Sequence, residues 1–277
     1  MTASRGTRRA RDPQLRTVTV GGRTLRVSVR PGDGTLTPLL LMNGIGASLE
    51  VLEPFVDALD PRREVIRFDV PGVGGSPRPV MPYTMMTFAP VVAGMLAELG
   101  HREPVDVLGF SWGGGLAQQF AVQHRRRCRR LVLAATGTGM LMVPAHPRVL
   151  SKMMTPRRHR DPGYARRIAG EIYGGTMRDH PERAAQALHA HSRLGPRRGY
   201  YYQLAAGTGW SSLPMLGMIK QPTLVLAGDD DPIIPEVNPR VMARLIPNAE
   251  LHLYRGGHLA LVTEATELAP VVDRFLS

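Results

Sequence analysis

The chain has 277 residues, which is long enough for one α/β domain with an insertion. With 43% hydrophobic and 21% charged residues, its composition is that of a soluble globular protein. No apolar run approaches the roughly 20 residues of a membrane span, and the single cysteine, Cys128, excludes an intramolecular disulfide and is expected to be a structural thiol. The net charge of +12 comes almost entirely from arginines spread along the chain, without a nucleic-acid motif, so we expect no nucleic-acid partner.

The N-terminal segment, residues 1–14, is basic and lacks the apolar stretch that a secretory signal peptide requires. We expect this tail to be disordered and the protein to be cytoplasmic. Residues 15–20 and 23–29 read as two strands around Gly21-Gly22, which predicts a hairpin.

After the hairpin, apolar strands alternate with helical patterns, which predicts an α/β fold with a mostly parallel sheet and helices on both faces. The run Leu39-Leu40-Leu41-Met42 is typical of a strand buried on both faces. The predicted strands cover residues 39–42, 64–70, 105–110, 131–135, 223–228 and 249–253. The predicted helices cover residues 50–59, 85–99, 112–124, 237–246 and 261–276.

Residues 138–219 lack short apolar strands and contain seven of the fourteen methionines. This change predicts a helical cap, inserted between a first core segment (15–137) and a second (220–277). Methionine fits irregular apolar shapes, so these side chains either fill the cap or, for some of them, line an apolar substrate channel. The candidate pocket residues are Asn43, Met140, Met142 and Trp210.

The apolar run that begins at Val105 ends in Gly109-Phe110-Ser111-Trp112-Gly113, a Gly-x-Ser-x-Gly pattern between a predicted strand and a predicted helix. In such a turn the serine has a strained backbone angle and an exposed hydroxyl. Glycine on either side leaves room for the sharp turn. The N-terminus of the following helix favours negative charge nearby. The pattern therefore predicts that Ser111 is a nucleophile.

A serine hydroxyl needs a base to take its proton, and His258 in a late Gly-Gly-His loop fits the chain order serine, acid, histidine. The acid that orients the histidine follows the strand at 223–228, where Asp229, Asp230 and Asp231 are adjacent, so spacing alone leaves all three open. The pattern Gly-x-x-Asp followed by an apolar pair and a proline favours Asp231. The other two aspartates are expected to cap the loop or face solvent.

Two donors are needed for the negative oxygen of the transition state. The backbone N–H groups of Trp112 and of Ile45, in the loop Asn43-Gly44-Ile45, are the candidates. Asn43 either orders this loop or, as the minority interpretation, acts directly. The glycine-rich loop at 71–76 lacks the Gly-Lys-Ser/Thr of a phosphate site, and no metal-ligand spacing appears, so we expect neither cofactor nor metal.

With these motifs the chain resembles the α/β-hydrolase superfamily, and within it the intracellular medium-chain-length poly(3-hydroxyalkanoate) depolymerases. The resemblance runs from about Thr17 to the C-terminus. Its more specific matches lie in the cap, at Ile172-Tyr173-Gly174-Gly175 and Gly199-Tyr200-Tyr201. The basic tail and the arginine-rich stretches 157–160 and 197–198 depart from that family's pattern.

The resemblance implies a Ser111–Asp231–His258 triad that hydrolyses ester bonds of a stored hydrophobic polyester, at a granule surface, through an acyl-enzyme on Ser111. A small-molecule carboxylesterase or a carbon–carbon-bond hydrolase with the same triad is the alternative function. A binding protein of the granule coat, on an inactive hydrolase fold, is a third.

Overall fold

The computed structural model of the chain describes residues 13–189 and 193–277. Eight strands of this part form one sheet in the order β1-β2-β4-β3-β5-β6-β7-β8. Its strands are β1 Gln14–Val20, β2 Arg23–Arg30, β3 Leu39–Met42, β4 Val65–Phe68, β5 Val105–Phe110, β6 Cys128–Ala134, β7 Thr223–Gly228 and β8 Ala249–Tyr254. The hairpin β1–β2 and the pair β2–β4 are antiparallel, and the other pairs are parallel, which confirms the predicted sheet.

The helices pack on both faces of this sheet. They are α1 Glu53–Ala58, α2 Met85–Glu98, α3 Trp112–Gln123, α4 Pro147–Met153, α5 Pro162–Tyr173, α6 Glu182–His189, α7 Arg197–Thr208, α8 Val237–Leu245, α9 Ala260–Thr263 and α10 Ala265–Leu276. Within the described residues, no helix combines the length and the apolar character that crossing a bilayer requires.

Strand β3 shows how the sheet divides the core. Leu40 and Met42 belong to the hydrophobic cluster that includes side chains of α2 and α3, whereas Leu39 and Leu41 belong to the cluster with α1 and α10. Successive side chains of a strand point to opposite faces, so a strand between two helical layers is apolar at every position. The continuous run in the sequence has this origin.

Two predicted helices are interrupted. The segment predicted as a helix over 50–59 forms a 3₁₀ turn at Leu49–Leu52 and then α1, because Pro54 has no N–H to bond the carbonyl of Glu50 in a continuous α-helix. The predicted C-terminal helix, 261–276, divides into α9 and α10 at Glu264. The Glu264 carboxylate there accepts hydrogen bonds from the hydroxyls of Thr176 and Thr263.

The segment between β6 and β7 contains α4 to α7 and 3₁₀ turns at Pro156–His159, Gly175–Met177 and Leu213–Met218. The boundaries 138 and 219 of the cap, and the division of the core on either side of it, stay predictions. Of the predicted tail, residues 1–12 lie outside the described part, and Gln14 already belongs to β1. Cys128 is buried at the start of β6, and burial raises the pKa of its thiol.

Candidate active site

Ser111 lies in the turn between the central strand β5 and helix α3. Its φ of 54° is in the left-handed region, which costs an L-residue about 1–2 kcal/mol. Three hydrogen bonds hold this conformation. The Ser111 N–H donates to the carbonyl of Ala134 at 2.9 Å, and the Ser111 carbonyl accepts from Thr136 Oγ1 at 2.7 Å and from the Gly114 N–H at 2.9 Å. The strain is thus offset by contacts with β6 and with α3.

The glycines around Ser111 are required by close packing. A Cβ atom on Gly109 would lie 2.5 Å from the Gly113 carbonyl oxygen, and one on Gly113 would lie 2.2 Å from the Met42 carbonyl oxygen. Both distances are far below van der Waals contact. The N-terminus of α3 can therefore approach the ends of β3 and β5 only because these positions have no side chain.

His258 contacts Ser111 across 147 positions of the sequence. Its Nε2 lies 3.0 Å from Ser111 Oγ, and its Nδ1 lies 2.8 Å from Asp231 Oδ2. The imidazole is buried, with the rings of Phe110 and Tyr173 at centroid distances of 5.4 and 6.5 Å. The backbone N–H of His258 donates to the carbonyl of Tyr173 at 2.7 Å, so the end of α5 fixes the loop that holds the histidine. This arrangement can pass the serine proton to Nε2.

The three adjacent aspartates have different partners. Asp231 is buried, and its Oδ1 accepts hydrogen bonds from the N–H groups of Ile233 and Ile234 at 2.9 and 3.0 Å, while Oδ2 faces His258. Asp229 is exposed and accepts from the Gly256 N–H at 3.0 Å. Asp231 is therefore the member of the run that reaches the imidazole.

Asp230 connects the loop after β7 with the cap. Its carboxylate accepts a hydrogen bond from the Gly175 N–H at 2.7 Å and two from the guanidinium of Arg178 at 2.6 Å. Hydrogen bonds from Arg178 lower the pKa of Asp230 below its ordinary value. The Asp230 carboxylate is thus hydrogen-bonded to the 3₁₀ turn that follows α5 and to Arg178, rather than to the imidazole of His258.

The loop after β3 holds the candidate oxyanion donors. Asn43 orders it, because its side-chain oxygen accepts from the Gly44 N–H at 2.8 Å and its NH₂ group donates to the Ser48 carbonyl at 2.7 Å. Ile45 lines the same cavity as Ser111, and its N–H donates to no described residue. The N–H of Trp112 is the first of α3, where an N–H has no intrahelical acceptor. Both N–H groups can therefore bind a negative oxygen.

A narrow cavity of about 30 Å³ lies between Ser111 and the cap. Its apolar lining comes from the core and from the cap, with Val51, Phe110, Met153, Leu188, Ile233 and Leu259. Its polar lining consists of Ser111, His258 and three cap residues, Arg158, His159 and Tyr173. The apolar part of the lining can contact an aliphatic chain, and the polar side chains can form hydrogen bonds with the oxygen atoms of a ligand.

The four predicted pocket residues lie outside the lining of this cavity. Asn43 is buried in its loop, and the Met140 side chain is 61% exposed. Trp210 packs in the core and donates from Nε1 to Gln119 Oε1 at 2.8 Å. Met142 is half-buried against the cluster on the α1 side of the sheet. Among the predicted cap methionines, Met153 contributes to the cavity.

Sequence reasoning missed the polar cap residues of the cavity. Arg158 and His159 belong to the stretch 157–160, which stood out only as a basic cluster, and Tyr173 belongs to a cap motif of the resemblance. Burial, together with Arg158, lowers the pKa of His159 well below its usual value, so its imidazole is neutral. Burial raises the pKa of Tyr173 to about 12, so its hydroxyl keeps its proton.

The sequence was compared with protein families and with individual proteins. A profile described as the α/β hydrolase fold matches residues 37–206 and 196–265. The chain is 53% identical over 263 residues to a poly(3-hydroxyalkanoate) depolymerase from Ectopseudomonas oleovorans, with 95% of this chain and 92% of that protein covered. It is 30% identical to a 2-hydroxymuconate semialdehyde hydrolase from Pseudomonas putida, with 78% of this chain and 77% of that protein covered.

Solved structures have the same fold. The enol-lactonase from Burkholderia xenovorans LB400 superposes with a TM-score of 0.79 at 24% identity, covering 94% of this chain and 99% of that one. An esterase from Thermogutta terrifontis superposes with a TM-score of 0.78 at 25% identity, covering 95% of this chain and 98% of that one. Both likenesses extend over the sheet and over the segment between β6 and β7.

Proposed function

The chain belongs to the α/β-hydrolase family, and on this premise we propose that it is a serine esterase that hydrolyses the ester bonds of poly(3-hydroxyalkanoate). The observation that carries the proposal is the pair of distances at His258, 3.0 Å to Ser111 Oγ and 2.8 Å to Asp231 Oδ2. A nucleophile, a base and an orienting acid in contact are what acyl transfer needs. The 53% identity to a named depolymerase supports the polymer as substrate.

The first half of the reaction forms an acyl-enzyme. His258 Nε2 takes the proton of Ser111 as Oγ attacks the ester carbonyl carbon, and Asp231 stabilises the imidazolium that results. The carbonyl oxygen becomes negative and accepts hydrogen bonds from the N–H groups of Trp112 and Ile45. When the carbon–oxygen bond of the ester breaks, His258 returns the proton to the leaving alcohol oxygen.

The second half returns the enzyme to its starting state. A water molecule gives a proton to His258 Nε2 and attacks the acyl carbon, and the same two N–H groups stabilise the negative oxygen again. The bond to Ser111 Oγ then breaks, and the serine regains its proton from His258. The product is a chain that ends in a 3-hydroxyacid carboxylate.

The apolar lining of the cavity supports a polyester with medium-length side chains as the substrate. Val51, Met153 and Ile233 present aliphatic and thioether groups from both the core and the cap. Each buried CH₂ group is worth about 0.8 kcal/mol, so a longer side chain gains affinity as it covers more of this apolar lining. Contact with storage granules and a cytoplasmic location belong to this proposal.

A matched pair of polymers tests the proposal. Wild-type protein should release 3-hydroxyacids from an amorphous suspension of medium-chain-length polyester faster than from a short-chain one, and Ser111→Ala should release none above background. Ser151→Ala is the control, because Ser151 is exposed and, among the described residues, its hydroxyl donates to the carbonyl of Arg148 alone. Release by a folded Ser111→Ala protein would refute the mechanism.

The same assay separates the alternative function. A small-ester or carbon–carbon-bond hydrolase, as the 30% identity to a semialdehyde hydrolase suggests, turns over soluble esters or diketones and leaves both polymers intact. That result would reject the polymer as substrate while leaving the serine mechanism standing.

A further inference from the structure

Arg158 places a cation in the wall of the active-site cavity. It lies in the 3₁₀ turn Pro156–His159 of the cap, and 2% of its surface is exposed. The cavity that it lines also contains Ser111 and His258. An arginine guanidinium stays charged under all ordinary conditions.

No carboxylate of a described residue lies within 4.0 Å of this guanidinium. Within residues 13–189 and 193–277, its polar partners are neutral phenols: Nη1 donates to Tyr200 Oη at 2.7 Å, and the guanidinium also interacts with the Tyr173 hydroxyl. The guanidinium also lies over the Tyr200 ring, 5.3 Å from its centroid. A buried charge normally requires an opposite charge beside it, and a phenol does not supply one.

Two other arginines, buried as deeply, show the contrast. Arg63 pairs with Asp106 and Asp273 at 3.3 and 3.1 Å, and Arg67 pairs with Glu53 at 2.5 Å. These arginines hold the sheet to its flanking helices and lie away from the cavity. Arg158 is buried to the same degree, has no carboxylate of a described residue within 4.0 Å, and lines the cavity that contains Ser111.

Two further polar groups of the same wall make no hydrogen bond of ordinary geometry with a described residue, although the Tyr173 hydroxyl interacts with the Arg158 guanidinium and the His159 imidazole with the Ile45 backbone. They are the hydroxyl of Tyr173 and Nε2 of His159, both buried and both in the lining of the cavity. The Tyr173 ring is stacked on the His258 ring at 6.5 Å. Neutral groups compensate a buried cation only in part, so a carboxylate that pairs with Arg158 and accepts a hydrogen bond from the Tyr173 hydroxyl is stabilised here.

We propose that Arg158 and the hydroxyl of Tyr173 form a binding site for the free carboxylate at the end of a 3-hydroxyacyl chain. The proposal rests on the proposed ester hydrolysis and adds a preference within it. In a 3-hydroxyacid, two carbon atoms separate the carboxylate carbon from the alcohol oxygen. A terminal carboxylate held at Arg158 therefore keeps the last ester bond close to Ser111.

The site assigns the direction of attack on the chain. The carboxyl-terminal unit is the leaving alcohol of the last ester, so the bond that breaks joins its C3 oxygen to the acyl carbon, and His258 gives that oxygen a proton. One monomer with an intact carboxylate leaves, and the shortened acyl chain stays on Ser111 until water releases it with a new terminal carboxylate. Dimers and short oligomers that carry a free carboxylate are then the preferred substrates.

A pair of dimers tests the carboxylate directly. The dimer of 3-hydroxyoctanoate is compared as the free acid and as its methyl ester, which keeps the scissile bond and removes the charge. Wild-type kcat/KM should be higher for the acid. Arg158→Met should lower kcat/KM for the acid by about 10- to 100-fold more than for the methyl ester, the range for a charge-assisted hydrogen bond.

Tyr173→Phe removes one hydroxyl without changing the packing volume, and should reduce the preference for the acid by about 3- to 10-fold. Tyr83→Phe is its matched control. The Tyr83 hydroxyl is also buried and has no hydrogen-bond partner among the described residues, but it lies in the core, outside the lining of the cavity. That variant should keep the wild-type preference. If Arg158→Met does not fold, Arg158→Lys keeps the charge, loses the two-pronged geometry and should retain part of the preference.

Binding gives a second readout that does not depend on turnover. In the Ser111→Ala background, calorimetry should detect 3-hydroxyoctanoate binding tighter than its methyl ester, and Arg158→Met should abolish the difference. Equal losses for acid and ester in both experiments, or no wild-type preference in either, would overturn the carboxylate site. Turnover of soluble esters without any attack on the dimers or polymers would instead reject the proposed function, and the calorimetry would still decide the carboxylate site.

Discussion

Replacing Asp231 by Asn tests how the carboxylate prepares His258. Asp231 Oδ1 accepts from two backbone N–H groups, at 2.9 and 3.0 Å, and Oδ2 lies 2.8 Å from His258 Nδ1. An amide keeps its oxygen on the two N–H groups, because its NH₂ group cannot accept a hydrogen bond. The NH₂ group then points at Nδ1. The proton of the neutral imidazole moves to Nε2, which faces Ser111.

An imidazole that carries its proton on Nε2 cannot take one from Ser111. Asp231→Asn should therefore lower kcat at neutral pH by about 10⁴-fold, or about 5.4 kcal/mol in activation free energy. The free energy of unfolding should change by less than about 1 kcal/mol, because every hydrogen bond of the side chain keeps a partner. Asp231→Ala would leave two buried N–H groups unpaired and should destabilise the fold by about 1–3 kcal/mol for each.

Hydrolysis of a chromogenic octanoate ester measures kcat, and urea unfolding measures stability. Asp229→Asn is the matched control, since Asp229 is exposed and its carboxylate bonds the Gly256 N–H instead of the imidazole. Its kcat should stay within about threefold of wild type. A folded Asp231→Asn enzyme that keeps about a tenth or more of the wild-type kcat would refute the argument from the tautomer.

Two further predictions concern the support of the site. Gly113→Ala places a Cβ 2.2 Å from the Met42 carbonyl oxygen, so the free energy of unfolding should fall by about 1–3 kcal/mol. The clash should also displace α3 from the loop after β3 that holds Ile45, and so lower kcat by about 10²-fold. Gly217→Ala, with no atom within 4 Å of the new Cβ, is its control, and equal behaviour of the two variants in urea unfolding would contradict the prediction. The carboxylate of Asp69 accepts hydrogen bonds from the N–H groups of Leu49 and Gly75, both at 2.7 Å. Burial raises the pKa of this carboxyl to about 6, although the hydrogen bond from Gly75 and the charge of Arg26 lower it. The folded state therefore binds more protons than the unfolded state between pH 4 and 6, and the contribution of Asp69 to stability falls by up to about 3 kcal/mol as pH rises through that window. Carbon-13 NMR of the Asp69 carboxyl should show a midpoint near 6, and a midpoint below about 4.5 would contradict this.

Local patterns in the sequence predicted most of the strands of the sheet, because the burial of a strand and the shape of a turn are determined by residues that are neighbours in the chain. The apolar run of β3 reports burial on both faces, and the glycines around Ser111 report the space that a sharp turn needs. The interrupted helices mark the limit of this reasoning. Pro54 was visible in the sequence, but the hydroxyl that bonds the Glu264 carboxylate at the division belongs to Thr176, 88 positions earlier.

The candidate pocket shows a stronger limit. Met140 and Trp210 fit a substrate channel by residue type alone, yet the first is exposed and the second packs in the core. Arg158 and Tyr173 line the cavity from the cap. In the sequence, the first stood out only as part of a basic cluster and the second only as part of a motif of the resemblance, since a buried arginine and an exposed one look alike in a sequence.

The sequence by itself determined the α/β class, the turn at Ser111 and the late position of His258, because hydrophobic period and turn chemistry are encoded over a few residues. Only the tertiary structure decided which of three adjacent aspartates reaches the imidazole, and which cap residues meet the nucleophile. Those outcomes depend on how segments far apart in the chain pack together. One residue before Asp231 the carboxylate of Asp230 binds Arg178, and two residues before it the carboxylate of Asp229 is exposed and bonds the Gly256 N–H.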